Sequence, residues 1–194
     1  MYERGIVDSP DMSVETLAGI IKPKLCIEDG VVTGVSVDMG VPSFERADIP
    51  MIGQSEAVDI DIEAARETVR ITSLLMGVPH TIVQVDDLYQ TDMAHIGPAV
   101  ETHALFPRKT NVNFVQVMDR ENLRMQTWER GAGLTMACGT GACASVVALS
   151  RKGLIEKEAT VHLAAGDLRI AVQDDGRIIM TGPAAHVCDA TLVQ

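Results

Sequence analysis

The 194 residues are 46% hydrophobic and carry 27 acidic against 16 basic side chains, a formal net charge of −11. That size and apolar content allow a core in one or two domains, and the negative charge argues against nucleic acid and anionic membrane as partners. No run approaches the roughly 18 apolar residues of a membrane span, Met1-Tyr2-Glu3-Arg4-Gly5 lacks a signal-peptide pattern, and the four cysteines at 26, 138, 143 and 188 are too sparse for a disulfide framework, so a cytoplasmic protein with reduced thiols is expected.

Read in chain order, the first 41 residues are echoed near the C-terminus. Tyr2-Glu3-Arg4-Gly5-Ile6-Val7 matches Ser150-Arg151-Lys152-Gly153-Leu154-Ile155, and Val14-Glu15-Thr16-Leu17-Ala18-Gly19 matches Val161-His162-Leu163-Ala164-Ala165-Gly166. Each copy continues as strand, Asp-Gly turn and strand, with Glu28-Asp29-Gly30 in the first and Asp174-Asp175-Gly176 in the second. Asp-Gly between alternating apolar runs is a strong hairpin signal. A repeat of this kind points to two related domains. By the spacing of the second copy, Met1 to Gly5 reads as the end of a helix, and the first-copy counterpart of Cys138 would fall about ten residues before Met1.

Between the copies the pattern is mainly β. Val58 to Ile62 alternates, Thr68 to Met76 is rich in β-branched and apolar residues, and Thr81 to Val85 is another apolar run. Residues 92–106 read as helix broken at Gly97-Pro98. Asn111 to Met118 and Leu123 to Glu129 alternate around an Asp119-Arg120-Glu121-Asn122 turn. A helix is predicted from Gly141 to about Lys152, with Cys143, Val146, Val147 and Ser150 as its buried face. The fold class is α+β, with mixed strands wrapping a central helix whose small Ala and Ser residues suit close packing inside a barrel.

The chemistry concentrates in Ala137-Cys138-Gly139-Thr140-Gly141-Ala142-Cys143-Ala144, preceded by Trp128-Glu129-Arg130-Gly131-Ala132-Gly133. The first segment places a thiol at a glycine-flanked turn opening a helix, where the helix N-terminus favours a thiolate or a substrate carboxylate. The second brings a carboxylate and a guanidinium to the same turn. Neither the Cys138–Cys143 spacing nor the histidine spacing suits zinc, so no metal is expected.

These motifs resemble those of the diaminopimelate epimerases, and the resemblance runs from end to end. It is carried by the two segments above with Met76-Gly77-Val78-Pro79-His80, Phe106-Pro107 and Thr110-Asn111-Val112-Asn113-Phe114, and by Val14 to Gly19 and Met39-Gly40-Val41-Pro42. The resemblance implies a pseudo-symmetric pair of mixed β-barrel domains, each around a central helix: residues 1–41 as an incomplete first domain, 42–180 as the second, and 181–194 as a strand returning to the first. It also implies a cofactor-independent, two-cysteine interconversion of LL- and meso-diaminopimelate, in lysine and peptidoglycan biosynthesis. One cysteine, as the thiolate, removes the Cα proton on one face while the other, as the thiol, returns a proton on the opposite face.

By the same resemblance Cys138 is one acid/base group, and Glu129 and His80 are the carboxylate and imidazole that poise the thiols. Arg130 and Asn111 hold the amino-acid end of a diamino dicarboxylate substrate, with Gly139 and Thr140 contributing an N–H group and a hydroxyl. Asn113 and Cys143 read as structural. Many members have Asn-Pro-His where this chain has Val78-Pro79-His80, so no substrate contact carries over to position 78. The first-domain Cys-Gly-Asn-Gly type of motif does not occur here, and Cys26 and Cys188 stand in other contexts. The chain therefore reads as truncated at its N-terminus, inactive alone, and prone to homodimer formation or other self-association through uncovered strands. Other readings are a proline racemase-like or phenazine-biosynthesis-like isomerase of the same fold, and a non-catalytic binding module.

Overall fold

The computed structural model describes residues 1–17 and 19–191. Its contacts divide the chain into two compact units, Met1–Val37 with Thr181–Gln194, and Asp38–Met180. The division falls after Val37 because Met39 N–H donates to the Ile178 carbonyl and Ile178 N–H to the Gly40 carbonyl, both at 2.9 Å, which ties residues 39–40 into the second unit.

In the first unit a 3-10 turn, Tyr2–Arg4, ends at Gly5. Strands β1 (Val14–Thr16) and β2 (Gly19–Ile21) form one hairpin, and β3 (Lys24–Glu28) and β4 (Val31–Asp38) form another, each pair antiparallel. The β3–β4 turn needs Gly30, at φ 79°, because a left-handed backbone strains other residues. Residues 181–182 lie beside β4, where Ser36 Oγ meets Thr181 Oγ1 at 2.7 Å. Residues 183–191 carry no strand, and the last three residues of the expected 181–194 strand lie outside the described residues.

The second unit contains β5 (Ile60–Ala64), β6 (Glu67–Met76), β7 (Val78–Gln84), α1 (Met93–Glu101), β8 (Asn111–Val117), β9 (Asn122–Glu129), β10 (Gly133–Thr135), α2 (Gly139–Arg151), β11 (Glu158–Leu163), β12 (Gly166–Val172) and the first three residues of β13 (Ile178–Gly182). The sheet runs β13-β12-β11-β9-β8-β7-β6-β5, with β10 on β9. It is mixed: β7 with β8 and β9 with β11 are parallel. As expected from the repeat, β12 and β13 flank an Asp-Gly turn, with Gly176 at φ 84°.

Strand alternation sorts side chains into two cores, since successive residues face opposite sides. Leu74, Met76, Ile82, Val115, Leu123 and Met125 pack with α2, whereas Ile71, Val83, Val112 and Phe114 pack with Val100 of α1 on the other face. Gly141 to Leu149 are all buried. The helix therefore has no single buried face, and Ser150, expected at its core, is only half-buried. A helix buried on every side is what a surrounding sheet produces, and α2 contacts β6, β7, β8, β11 and β12. The α+β class and the central helix are those read from the sequence.

One expected break is absent. Helix α1 runs through Pro98, although proline removes a backbone donor from a helix interior. Tertiary packing holds it: Asp92 caps the N-terminus through the His95 N–H at 3.2 Å, Val100 is fully buried, and Gly97 lies so close to Trp128 that a Cβ there would sit 2.7 Å from the ring.

Candidate active site

The strand alternation that sorts the cores also collects the site. Val115, Met125 and Ile82 face α2, so residues an even number of positions away on the same strands share that face: Asn111 and Asn113 on β8, Thr127 and Glu129 on β9, His80 on β7. Register brings them to one end of the sheet, with His80 opposite Asn111 and Asn113 opposite Thr127. Helix α2 starts there, with Cys138 in extended conformation as its N-cap residue (φ −143°, ψ 105°).

Cys138 is 9% exposed, and its Sγ lies 3.6 Å from the Thr140 hydroxyl. Burial pushes its thiol up from the ordinary value and the Glu129 charge adds to that, while the Thr140 hydroxyl and the N–H groups of Gly141 and Thr140 act in the opposite direction. The helix N-terminus was expected to favour the thiolate; in the structure it offsets only part of the desolvation cost. The N–H groups involved are those of Thr140 and Gly141, whereas Gly139 faces Met180, whose Sδ would be 3.0 Å from an added Cβ.

Glu129 is held by Thr135, whose hydroxyl donates to Oε1 at 2.7 Å. Thr135 sits on β10, which folds back on β9 with Gly133 opposite Glu129. Arg130 follows at the exposed end of β9. Its backbone N–H donates to Asn111 Oδ1 at 2.9 Å, and its Nη1 donates to the Arg108 carbonyl at 3.2 Å. Asn111 thus orients the Arg130 backbone directly. Behind this turn, Trp128 Nε1 donates to the buried Glu101 carboxylate at 2.7 Å, and Lys109 pairs with the same carboxylate at 3.0 Å.

His80 is fully buried. Its Nδ1 lies 3.0 Å from the Asn113 carboxamide nitrogen, and its Nε2 has no hydrogen-bond partner among the described residues. Desolvation pushes its pKa down to about 4, with the Arg130 charge acting the same way, so the ring is neutral at pH 7. Asn113 Oδ1 in turn accepts from the Thr127 hydroxyl at 3.0 Å.

The structure thus brings Cys138, Thr140 and Glu129 together at the start of α2, joins Asn111 to Arg130, and attaches His80 to Asn113. Gly139 stands in the same turn. From sequence Asn113 reads as structural, and nothing there marks Thr127 or Thr135. The two-residue offset from Asn111 was the available signal for Asn113, because it places both asparagines on one face of a strand. Among the described residues no group of three or more His, Cys, Asp or Glu side chains could hold a metal, and no helix is long and apolar enough to cross a membrane.

The sequence pattern of the diaminopimelate epimerases matches residues 72–187, which include every residue of this site. The chain is 53% identical over 189 residues to the diaminopimelate epimerase of Moorella thermoacetica, covering 96% of this chain and 68% of that protein. The chain belongs to the diaminopimelate epimerase family. Another diaminopimelate epimerase, from Bacillus cereus, is 44% identical over 191 residues, covering 96% of this chain and 66% of its own length. This family member therefore spans about two thirds of the length of the curated relatives it matches. In fold it is similar to a hydroxyproline epimerase of Agrobacterium vitis (TM-score 0.62, 18% identity, 93% of this chain and 60% of that one). It is likewise similar to a phenazine biosynthesis protein of Bacillus anthracis (TM-score 0.60, 17% identity, 93% and 68%). A diaminopimelate epimerase family member is an isomerase by family, and a small-molecule substrate is implied.

Proposed function

We propose that this chain supplies the second-domain half of a cofactor-independent diaminopimelate epimerase acting in the cytoplasm, with residues 1–37 and 181–194 belonging to its other domain. The observation that carries the reading is Cys138 at the start of α2 beside Thr140 and within the electrostatic reach of Glu129, in a chain of this family. Inversion at Cα needs a base on one face and an acid on the other. As base, the Cys138 thiolate takes the Cα proton: the S–H bond forms, the C–H bond breaks, and the electron pair is left on Cα, delocalised into the substrate carboxylate. Protonation from the opposite face completes inversion, and the reverse direction exchanges the roles.

Burial keeps Cys138 as the thiol, ready to give a proton, and the Thr140 hydroxyl with the two helix N–H groups supports the thiolate that accepts one. Arg130 and Asn111 take the substrate carboxylate end, where a planar guanidinium suits bidentate pairing, and Gly139 and Thr140 line the same turn. His80 and Glu129 set the polarity around the thiols. The 194 residues contain one cysteine in a Cys-Gly-Thr-Gly context, so alone they provide one of the two groups. Self-association is part of the same reading, supported by exposed Leu17, Ile20 and Val187.

The test uses a polypeptide extended to the length of its relatives, assayed by chiral separation of LL- and meso-diaminopimelate. Inversion is expected there, is lost in Cys138→Ala, survives in the packing control Cys143→Ala, and is undetectable with the 194-residue polypeptide. Near-normal inversion by a folded Cys138→Ala variant, or turnover of proline or hydroxyproline in place of diaminopimelate, overturns the reading.

A further inference from the structure

His80 is the one described residue with a fully buried side-chain N or O atom that has no hydrogen-bond partner, and that atom is Nε2. What it can do depends on where the single ring proton sits, and the other nitrogen decides that. Nδ1 lies 3.0 Å from the Asn113 carboxamide. If the amide nitrogen faces the ring, Nδ1 must accept and the proton resides on Nε2. If the amide oxygen faces the ring, the proton resides on Nδ1 and Nε2 is an acceptor.

The carboxamide is oriented by what it meets on the side of α2, since the Thr127 hydroxyl can donate to an oxygen or accept from an NH2 group. That hydroxyl, opposite Asn113 across the β8–β9 pair, lies 3.0 Å from Oδ1. On the same side Gly141 approaches so closely that an added Cβ would lie 2.3 Å from Oδ1. Gly141 belongs to the first turn of α2, the positive end of the helix, and its Cα–H groups are weak donors. Both favour a carbonyl oxygen at that spot over an NH2 group. With the oxygen held there, the NH2 group is turned to His80.

We infer that Asn113 is a positioning residue that fixes His80 in its Nε2–H tautomer, so that the one uncommitted atom of the imidazole is a hydrogen-bond donor and not a base. The inference deepens the proposed reading and rests on it for the place of His80 in the site. Because the ring is held neutral by its burial, the tautomer is a defined property at pH 7. His80 then stabilises negative charge by donating a hydrogen bond, as on a thiolate or a carboxylate, and proton removal from carbon is left to the thiolate.

Nitrogen NMR of the 15N-histidine-labelled 194-residue chain reads the tautomer without substrate, since protonated and lone-pair ring nitrogens resonate far apart, and the spectrum of His80→Gln assigns the signal. The expected result at neutral pH is a protonated Nε2 and a lone-pair Nδ1. In Asn113→Asp, whose carboxylate accepts only, the proton should move to Nδ1. Asn113→Leu, which removes the donor to Nδ1, should bring in a population of the Nδ1–H form, and it serves if the aspartate variant fails to fold. A protonated Nδ1 in the unsubstituted chain, or an unchanged tautomer in folded Asn113→Asp or Asn113→Leu, overturns the inference. Failure of the epimerase assay leaves this outcome untouched, so the two readings fail separately.

Discussion

Gly141 and Asn113 are in contact across the gap between α2 and β8: a Cβ on Gly141 would lie 2.3 Å from Asn113 Oδ1 and 3.2 Å from Cys138 Sγ. The glycine is therefore a spacing device. It lets the first turn of the helix settle onto the strand that carries the asparagines, with the Cys138 thiol beside the contact.

Gly141→Ala should destabilise the protein even though alanine gains about 1 kcal/mol of helix propensity, because forcing a methyl into a filled site costs about 1–3 kcal/mol and the neighbouring oxygen sits on a short side chain of a central strand. Gly139→Ala is the comparison. Its Cβ would meet only the flexible end of Met180, at 3.0 Å, which can turn away. Urea unfolding followed by circular dichroism should show a lower midpoint for Gly141→Ala and little change for Gly139→Ala. Equal midpoints would mean that the contact at Gly141 is not tight.

Stability should fall in mild acid through His80. Its pKa is lowered from 6.5 to about 4 in the folded chain, so below pH 6.5 the unfolded chain binds a proton that the native chain does not. The stability is fully present above pH 6.5 and is lost progressively down to about pH 4, a total of about 3 kcal/mol at 1.36 kcal/mol per unit. Carboxylates contribute their own slopes, so the measurement is a difference: the unfolding free energy between pH 7 and pH 4.5, in the unsubstituted chain and in His80→Gln. The variant should lose less stability over that interval. Parallel curves would place His80 in a solvated environment.

Alkylation of Cys138 should rise later with pH than that of an ordinary thiol, because the thiolate is the reactive form and burial with the Glu129 charge pushes its titration upward. Glu129→Gln removes the charge and should shift the alkylation profile to lower pH. Thr140→Val removes the hydroxyl 3.6 Å from Sγ and should shift it to higher pH. Peptide mass spectrometry after brief iodoacetamide treatment separates Cys138 from Cys26 and Cys188. A Glu129→Gln profile identical to the starting one would show that the carboxylate and the thiol are electrostatically independent.

The hairpins, the Asp-Gly turns and the start of α2 were legible because each is set by neighbours within a few residues: glycine where the backbone turns left-handed, alternation where one face of a strand is buried. Helix α1 was misread at Pro98 for the opposite reason. Local propensity ends a helix there, and packing carries it through, with Val100 fully buried and Gly97 against Trp128, 31 residues on. The family-bearing residues Cys138, Glu129, Arg130, His80 and Asn111 were visible as motifs, yet their partners were not, since Asn113, Thr127 and Thr135 are single polar residues that become distinctive only once three strands are in register.

By itself, then, the sequence determined the class of fold, the repeat, the family and the residue types available to the chemistry, all of which follow from local pattern and motif. Tertiary structure decided the electrostatics. The direction of the Cys138 shift is a contest between desolvation and a helix N-terminus, and desolvation is a property of everything packed around the thiol. The proton on His80 is likewise governed by the Asn113 amide and by the closeness of Gly141, two groups from different elements. Long-range packing brings these together, and no spacing along the chain encodes how near they come.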